Sequence, residues 1–469
     1  MSDSIHVINR RDLLRLAALA GVAVPVLGAC AMSGGGPGPV AAVGEVSATN
    51  PLGVLIDKPV EVVIFDGGFG DRYATEIHEP MLRKKHAGLQ VKHVSTKEIA
   101  KTLRPRFAGG NPPDFVNNDG ADNIDFGALV ADGQLADLTP LLDAPTWGDP
   151  SKKVRDTLSP AALEIGMFDG KFVVLPYVNV MWGIWYSTAL FEERGWQVPA
   201  TWAEFLALCE EIKAAGLAPF TYAGKYPGYV FEPLLTMAAK IGGKDVLTNI
   251  DNLEDGAWRI EPVRQAAEAW AEIGAKYLLQ GTAGFNHTES QGKQNAGEAA
   301  MLPCGTWLEN EQKSVAPEDF GYAVFPVPSL SASDRMPQAT LHSVPFGAYC
   351  VPARAANPRG GMEYMRAMLS TEGASRFTGL VGSLTTVKGA TGSDMPPGLR
   401  SASAALTAAG EDTVYWRFAS WYRELDSEAG TATGALMSGR IDANAFTERI
   451  QRRADSIKKN ASIKKFRRG

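Results

Sequence analysis

Cysteine is scarce in this chain of 469 residues: four, at positions 30, 209, 304 and 350, too few and too widely spaced for a disulfide framework. The six histidines are scattered, so no cysteine or histidine cluster has metal-ligand spacing; neither a metal nor another cofactor is expected. Long apolar runs are missing too. The run Leu16 to Val26 falls short of the roughly 20 apolar residues that span a bilayer. No long basic block lies inside the body and formal net charge is −6, which argues against nucleic acid as the main partner. The basic exception, Lys458-Lys459 and Lys464-Lys465-Phe466-Arg467-Arg468, reads as a solvated helix end whose cations suit the helix dipole, ahead of a lipid-headgroup contact. No internal repeat is evident, and aromatic content is an ordinary 9%, so only clustering of aromatics can point to a site.

What is present begins with Asn9-Arg10-Arg11-Asp12-Leu13-Leu14-Arg15, the apolar run, and Leu27-Gly28-Ala29-Cys30. A paired arginine before a short, weakly apolar segment is the layout of a twin-arginine export signal. Leu27 to Cys30 resembles a lipobox, so residues 1–30 are expected to be removed or cut at Cys30, with the Cys30 thiol carrying a lipid. A buried N-terminal helix with a chance cysteine is the bland alternative. Residues 31–58, rich in Gly, Pro and Ser at Ser33 to Pro39, read as a flexible tether.

The body alternates strands with helices: a strand at Val60 to Phe65, a turn at Asp66 to Asp71, a helix to His86, a strand at Leu89 to Val94, a helix from Thr96 to Phe107, then Phe115 to Asn117. That order predicts an α/β fold with a largely parallel sheet, whose ligands sit beyond the carboxyl ends of the strands. Gly170 to Tyr177, running into Trp182 to Ser187, reads as an extended crossover without a tight turn. Helices are expected at Pro262 to Leu279 and Gly361 to Phe377. Cys209 falls on the apolar stripe of a helix with Trp202, Phe205 and Ile212 and reads as core, and a Cys304–Cys350 pair is left open.

Four motifs then occur in order: Gly109-Gly110-Asn111-Pro112-Pro113-Asp114; Phe172 to Tyr177 with Ile184-Trp185-Tyr186; Thr201-Trp202-Ala203-Glu204-Phe205; and Gly297-Glu298-Ala299-Ala300-Met301 with Gly305-Thr306-Trp307. Together they resemble the carbohydrate-binding lipoproteins of bacterial ABC importers. Within that family, Glu61 to Phe65 with Gly68, Asp149 to Leu158, Thr221 to Pro227 and Trp307 to Glu311 are similar to the actinobacterial binding proteins for N-acetylglucosamine and N,N'-diacetylchitobiose. The resemblance implies a two-lobed periplasmic-binding-protein fold of type II: lobe one from 59–178 and 345–391, lobe two from 179–344 and 392–469, closing on a sugar by a hinge. It implies no catalysis, a membrane permease as partner, a lipid anchor through Cys30 on the outer face of the membrane, and a monomer. Gln294 departs from the pattern, which places an apolar residue three before the Gly297 glycine.

A pyranose offers flat C–H faces and a rim of hydroxyls, so its cleft needs aromatic plates and planar polar side chains. Trp307 is expected as a plate at a cleft edge, with Glu309 and Asn310 beside it for hydroxyls; core packing and a solvated helical turn are the alternatives. Tyr222, Tyr226 and Tyr229 surround glycines in a tyrosine-rich loop. By resemblance Trp416 is a further plate, with Trp421 packing inside its helices. Asn117, Asn118, Asp119 and Asp122 follow the third strand, where turn chemistry explains them equally well. Phe69, Asp71, Asn179 and Trp182 complete the candidates. Two competing functions remain: a receptor for another oligosaccharide or a peptide, and a glycoside hydrolase using a carboxylate pair such as Asp119 with Asp122 or Glu309 with Glu311.

Overall fold

The computed structural model describes residues 43–67, 69–120, 122–390 and 395–468; the stretch read as an export signal, with Cys30, lies outside the described residues. Twelve strands run through the described part: β1 (Val60–Phe65), β2 (Val91–Thr96), β3 (Phe115–Asn117), β4 (Met167–Phe168), β5 (Lys171–Phe172), β6 (Val178–Ser187), β7 (Ala218–Phe220), β8 (Ala299–Gly305), β9 (Tyr322–Phe325), β10 (Leu341–Phe346), β11 (Tyr349–Cys350) and β12 (Thr413–Val414).

The first sheet has the order β11-β3-β1-β2, with β1 parallel to both neighbours and β11 antiparallel to β3. Its central strand is apolar on both faces because both are covered. Val60, Val62 and Ile64 enter one core with Met362, Tyr364 and Met365 of the Pro358–Met368 helix. Val63 faces the other way, into a cluster with Ile99, Leu103 and Phe107 of the Ile99–Ala108 helix. The Pro358–Met368 helix lies so close to the sheet that a Cβ on Gly361 would stand 1.9 Å from the Asp114 carbonyl oxygen. Gly361→Ala is therefore expected to destabilise the protein by about 1–3 kcal/mol, read from chemical denaturation, despite alanine's better helix propensity. A stabilised variant would contradict that close approach.

The second sheet has the order β12-β10-β6-β8-β7, with β9 also on β6. Strands β6 and β10 run antiparallel and join the two halves of the molecule. Val178 and Val180 of β6 belong to the first core, whereas Ile184 belongs to a large second core with Trp202, Phe205, Trp258 and Trp270.

The crossing falls at β6, inside the Gly170 to Ser187 stretch expected to cross, but that stretch opens on a tight turn. Asp169 and Gly170 both have positive φ, 50° and 76°, and form the two-residue turn of the β4–β5 hairpin. Asp-Gly is a strong tight-turn pair, and that signal overrides the extended reading. The expected helix at Gly361 to Phe377 is two helices, Pro358–Met368 and Thr371–Val381, because the Ser370 hydroxyl accepts from Gly373 N (2.9 Å) and starts a second one. The tether is shorter than residues 31–58: Leu52 and Val54 are buried in the first core, and the Asn357 side chain donates to the carbonyls of Leu55 (2.9 Å) and Lys58 (3.2 Å). Cys209, Cys304 and Cys350 are all free and buried, which closes the question of a Cys304–Cys350 disulfide.

Several motif residues build this frame. Thr201 Oγ1 accepts from Glu204 N, and the Glu204 carboxylate accepts from Thr201 N, a reciprocal cap on the Trp202–Ala214 helix. Asp114 accepts from Glu61 N (2.8 Å) and Asn357 N (2.6 Å), tying β1 to the chain after β11. Gln294 is buried, and its amide donates to the carbonyls of Trp185 (2.8 Å) and Ala300 (3.3 Å), so the polar departure from the family pattern pins the His287–Asn295 helix to the sheet.

Candidate sugar-binding site

Three aromatic side chains meet where the first core joins a smaller cluster of the second sheet. Trp182, on β6, stands perpendicular to Trp307 (centroids 4.9 Å apart, 90°) and nearly perpendicular to Tyr229 (5.3 Å, 77°); Tyr229 and Trp307 are 6.3 Å apart at 86°. Each is only partly buried. Trp182 and Trp307 pack against the first core, while Trp307 and Tyr229 pack against a cluster of the second sheet containing Met181, Trp185 and Cys304. The Gly305-Thr306-Trp307 spacing has a physical cause. Gly305 is in register with Trp182, and a Cβ there would stand 2.3 Å from the Trp307 ring, so glycine lets the indole fold back over β8 beside Trp182.

Tyr229 opens the Gly228–Gly242 helix, and one turn later Glu232 brings its carboxylate 2.6 Å from His342 Nδ1 on β10. His342 in turn stacks on Trp416 (3.9 Å, 20°). Glu232 also lines a groove of about 760 Å³ between the Gly224 to Gly228 loop and the Arg423–Met437 helix, together with Tyr222, Tyr226, Asp426, Thr431 and Arg440. The aromatic corner and the groove therefore share one helix, at Tyr229 and Glu232. Burial and the nearby Glu232 charge push the Asp426 carboxyl up to about 6. The groove thus carries polar rims of both signs and two tyrosine rings: Tyr222 is buried, and Tyr226 is half exposed.

The other candidates scatter. Trp416 is buried in the second core between His342 and Phe231, so it is no open plate; Trp421, expected to pack inside, is the more exposed of the two. Asn118 is buried and pins a turn, accepting from Ile124 N and donating to its carbonyl, both at 2.9 Å. Asp122 accepts from Lys101 N (3.1 Å) and caps the Ile99–Ala108 helix. Asp119 accepts from Ala348 N (3.0 Å) and from the Asn117 amide, and burial raises its pKa. Asp71 lies 3.2 Å from His93 Nε2. Phe69 packs edge-on to Phe377 (6.1 Å) in the first half. Asn179 accepts from Ser343 Oγ (3.3 Å). The Glu309 carboxylate accepts from Leu399 N (3.1 Å) at the start of the Pro397–Ala409 helix, with burial raising its pKa. Asn310 accepts from Lys313 Nζ (2.9 Å) and lies beside Gly382 of the first half. Sequence reasoning missed Glu232 and Asp426, which line the groove.

The pattern of the bacterial extracellular solute-binding proteins matches residues 72–375. The diacetylchitobiose binding protein NgcE of Streptomyces coelicolor is 33% identical over 98% of both chains, and a probable sugar-binding periplasmic protein of Rhizobium meliloti is 24% identical over 49% of this chain and 53% of its own. Among solved structures, a chitin oligosaccharide binding protein superposes with a TM-score of 0.64 at 21% identity, covering 82% of this chain and 94% of the other. RafE of Streptococcus pneumoniae superposes at 0.65 with 20% identity, covering 84% and 96%. These superpositions give the two-lobed fold, and the chain belongs to the bacterial extracellular solute-binding protein family.

Proposed function

We propose that this chain is the receptor of an ABC importer for N-acetylglucosamine or N,N'-diacetylchitobiose, and that it binds and releases its sugar unchanged. The observation that carries the reading is the perpendicular corner of Trp182, Tyr229 and Trp307, partly open where the first core joins the second-sheet cluster. Such a corner offers flat faces at two orientations to the C–H faces of a pyranose. The groove past Glu232 supplies hydroxyl partners in Tyr226, Asp426 and Arg440. The amino-sugar class follows from the similarity to the diacetylchitobiose binding protein along nearly the whole chain.

In this reading β6 and β10 are hinge strands, the lobes divide close to 178 and 345, and closure on the sugar presents a surface to the permease. Anchoring through a lipid on Cys30 and a monomeric state belong to the same proposal. The carboxylates of the two pairs named for a hydrolase all accept hydrogen bonds: Asp119, Asp122 and Glu309 from backbone N–H groups, and Glu311 from the Gln291 amide (2.9 Å).

Calorimetric titration with N-acetylglucosamine, N,N'-diacetylchitobiose, maltose and cellobiose tests the reading. One-to-one binding of the amino sugars alone is the expected result. Binding of maltose or cellobiose alone keeps a sugar receptor and rejects the amino-sugar class, and silence with all four rejects both.

A further inference from the structure

The basic segment after the Ala443–Lys459 helix is largely exposed, as expected, but Phe466 and Arg468 are partly buried. It doubles back across the molecule and touches both halves. Its hold on the second half is buried. Arg468 N donates to Asn252 Oδ1 (2.7 Å), and the Arg468 guanidinium donates to Asp251 (3.2 Å), a carboxylate with no exposure, and to the Tyr415 carbonyl (3.0 Å). Phe466 N donates to the Tyr422 hydroxyl (3.0 Å), and the Phe466 ring lies along Trp421 (5.4 Å, 21°).

Its contacts with the first half are of another kind. Lys464 Nζ donates to Asp169 Oδ2 (2.5 Å), with both side chains more than half exposed. Phe466 meets Phe168 edge-on (6.5 Å, 87°), and Arg468 Nε lies 3.4 Å from Glu164. Asp169 is the tip of the β4–β5 hairpin. Phe168 and Phe172 of that hairpin pack into the clusters of the first sheet. Beneath the segment, the Arg417 guanidinium donates to the carbonyls of Glu164 (3.2 Å) and Ile165 (3.3 Å) while lying over Trp421 (4.9 Å). A cavity of about 410 Å³ remains between the segment, the hairpin and Trp421, so this seam is not packed like a core.

We propose that Ile463 to Arg468 is a strap, fixed to the second lobe and releasably fastened to the first, which favours the arrangement of the lobes described above. The asymmetry is the argument. Removing the Asp251–Arg468 anchor strands a buried charge, whereas an exposed lysine–aspartate pair contributes little and is screened by salt. A contact that is lost when the lobes move apart shifts the population toward the arrangement that makes it, without touching the ligand. The strap rests on the two-lobed receptor reading for its purpose, and its mechanical claim is read without sugar.

The test is small-angle scattering and amide exchange on the ligand-free full chain, in Lys464→Asp and Phe466→Ala, with circular dichroism as the fold check. The expected result is a larger radius of gyration and faster exchange across residues 167–172 in both variants. Lys464→Asp with Asp169→Lys restores both readouts. Arg467→Ala, whose exposed partner Glu254 lies on the second half, changes neither. Unchanged scattering and hairpin exchange in both variants would overturn the strap. Absence of amino-sugar binding in the wild type would instead reject the receptor reading, with the scattering still deciding the strap.

Discussion

Trp307→Ala is expected to weaken diacetylchitobiose binding by roughly 30- to 1,000-fold, about 2–4 kcal/mol, the loss typical of a central aromatic anchor. Trp307 touches the first core and the second-sheet cluster around Trp185 and forms one side of the aromatic corner, so its removal takes away a plate and loosens Trp182 and Tyr229 at once. Trp307→Phe keeps a flat face of smaller area and is expected to lose less. Because the indole also packs, thermal melting must accompany calorimetry. A folded Trp307→Ala protein with wild-type affinity would place the sugar elsewhere.

The second large effect is on stability. Glu363, with no exposure, accepts from Arg366 Nε (2.7 Å), Arg366 Nη2 (2.6 Å) and His86 Nε2 (2.9 Å) beneath the Pro358–Met368 helix; Arg366 lies over Trp147 (4.8 Å). Glu363→Ala leaves a buried guanidinium without its carboxylate and is expected to cost about 3–5 kcal/mol in chemical denaturation. Burial alone raises the Glu363 carboxyl, but Arg366 and His86 more than offset this and hold it below the usual carboxylate range. A depressed folded pKa contributes stability that is fully present above the unfolded value of about 4.3 and is lost as pH falls through the folded one. The variant and the wild type are therefore expected to converge only in acid, and a constant gap down to low pH would contradict the assignment.

Much of this was legible in the chain. The run Val60 to Phe65 declares a buried parallel strand because every covered position is apolar, and Thr201 with Glu204 declares a helix start because the pair satisfies each other's backbone donors. Trp182 and Trp307 were legible as site candidates through strand and glycine signals. Asn118 and Asp122 were not separable from site residues, since the chemistry that ends a turn or caps a helix is the chemistry that binds a hydroxyl. Trp416 is buried where an open plate was expected, while Trp421 packs against the second core and Phe466. Their burial depends on β10, where His342 covers Trp416, and on Phe466, which covers Trp421, and no local spacing reports contacts that distant. Glu232 was hidden for the same reason: its partner His342 lies far along the chain.

A crystal structure of the chain with N,N'-diacetylchitobiose bound tests the central claim most directly. The account predicts an intact disaccharide between the lobes, one ring against Trp182 and Trp307, with polar contacts from the groove at Glu232 and Asp426. A sugar seated away from that corner, or a cleaved one, would contradict it.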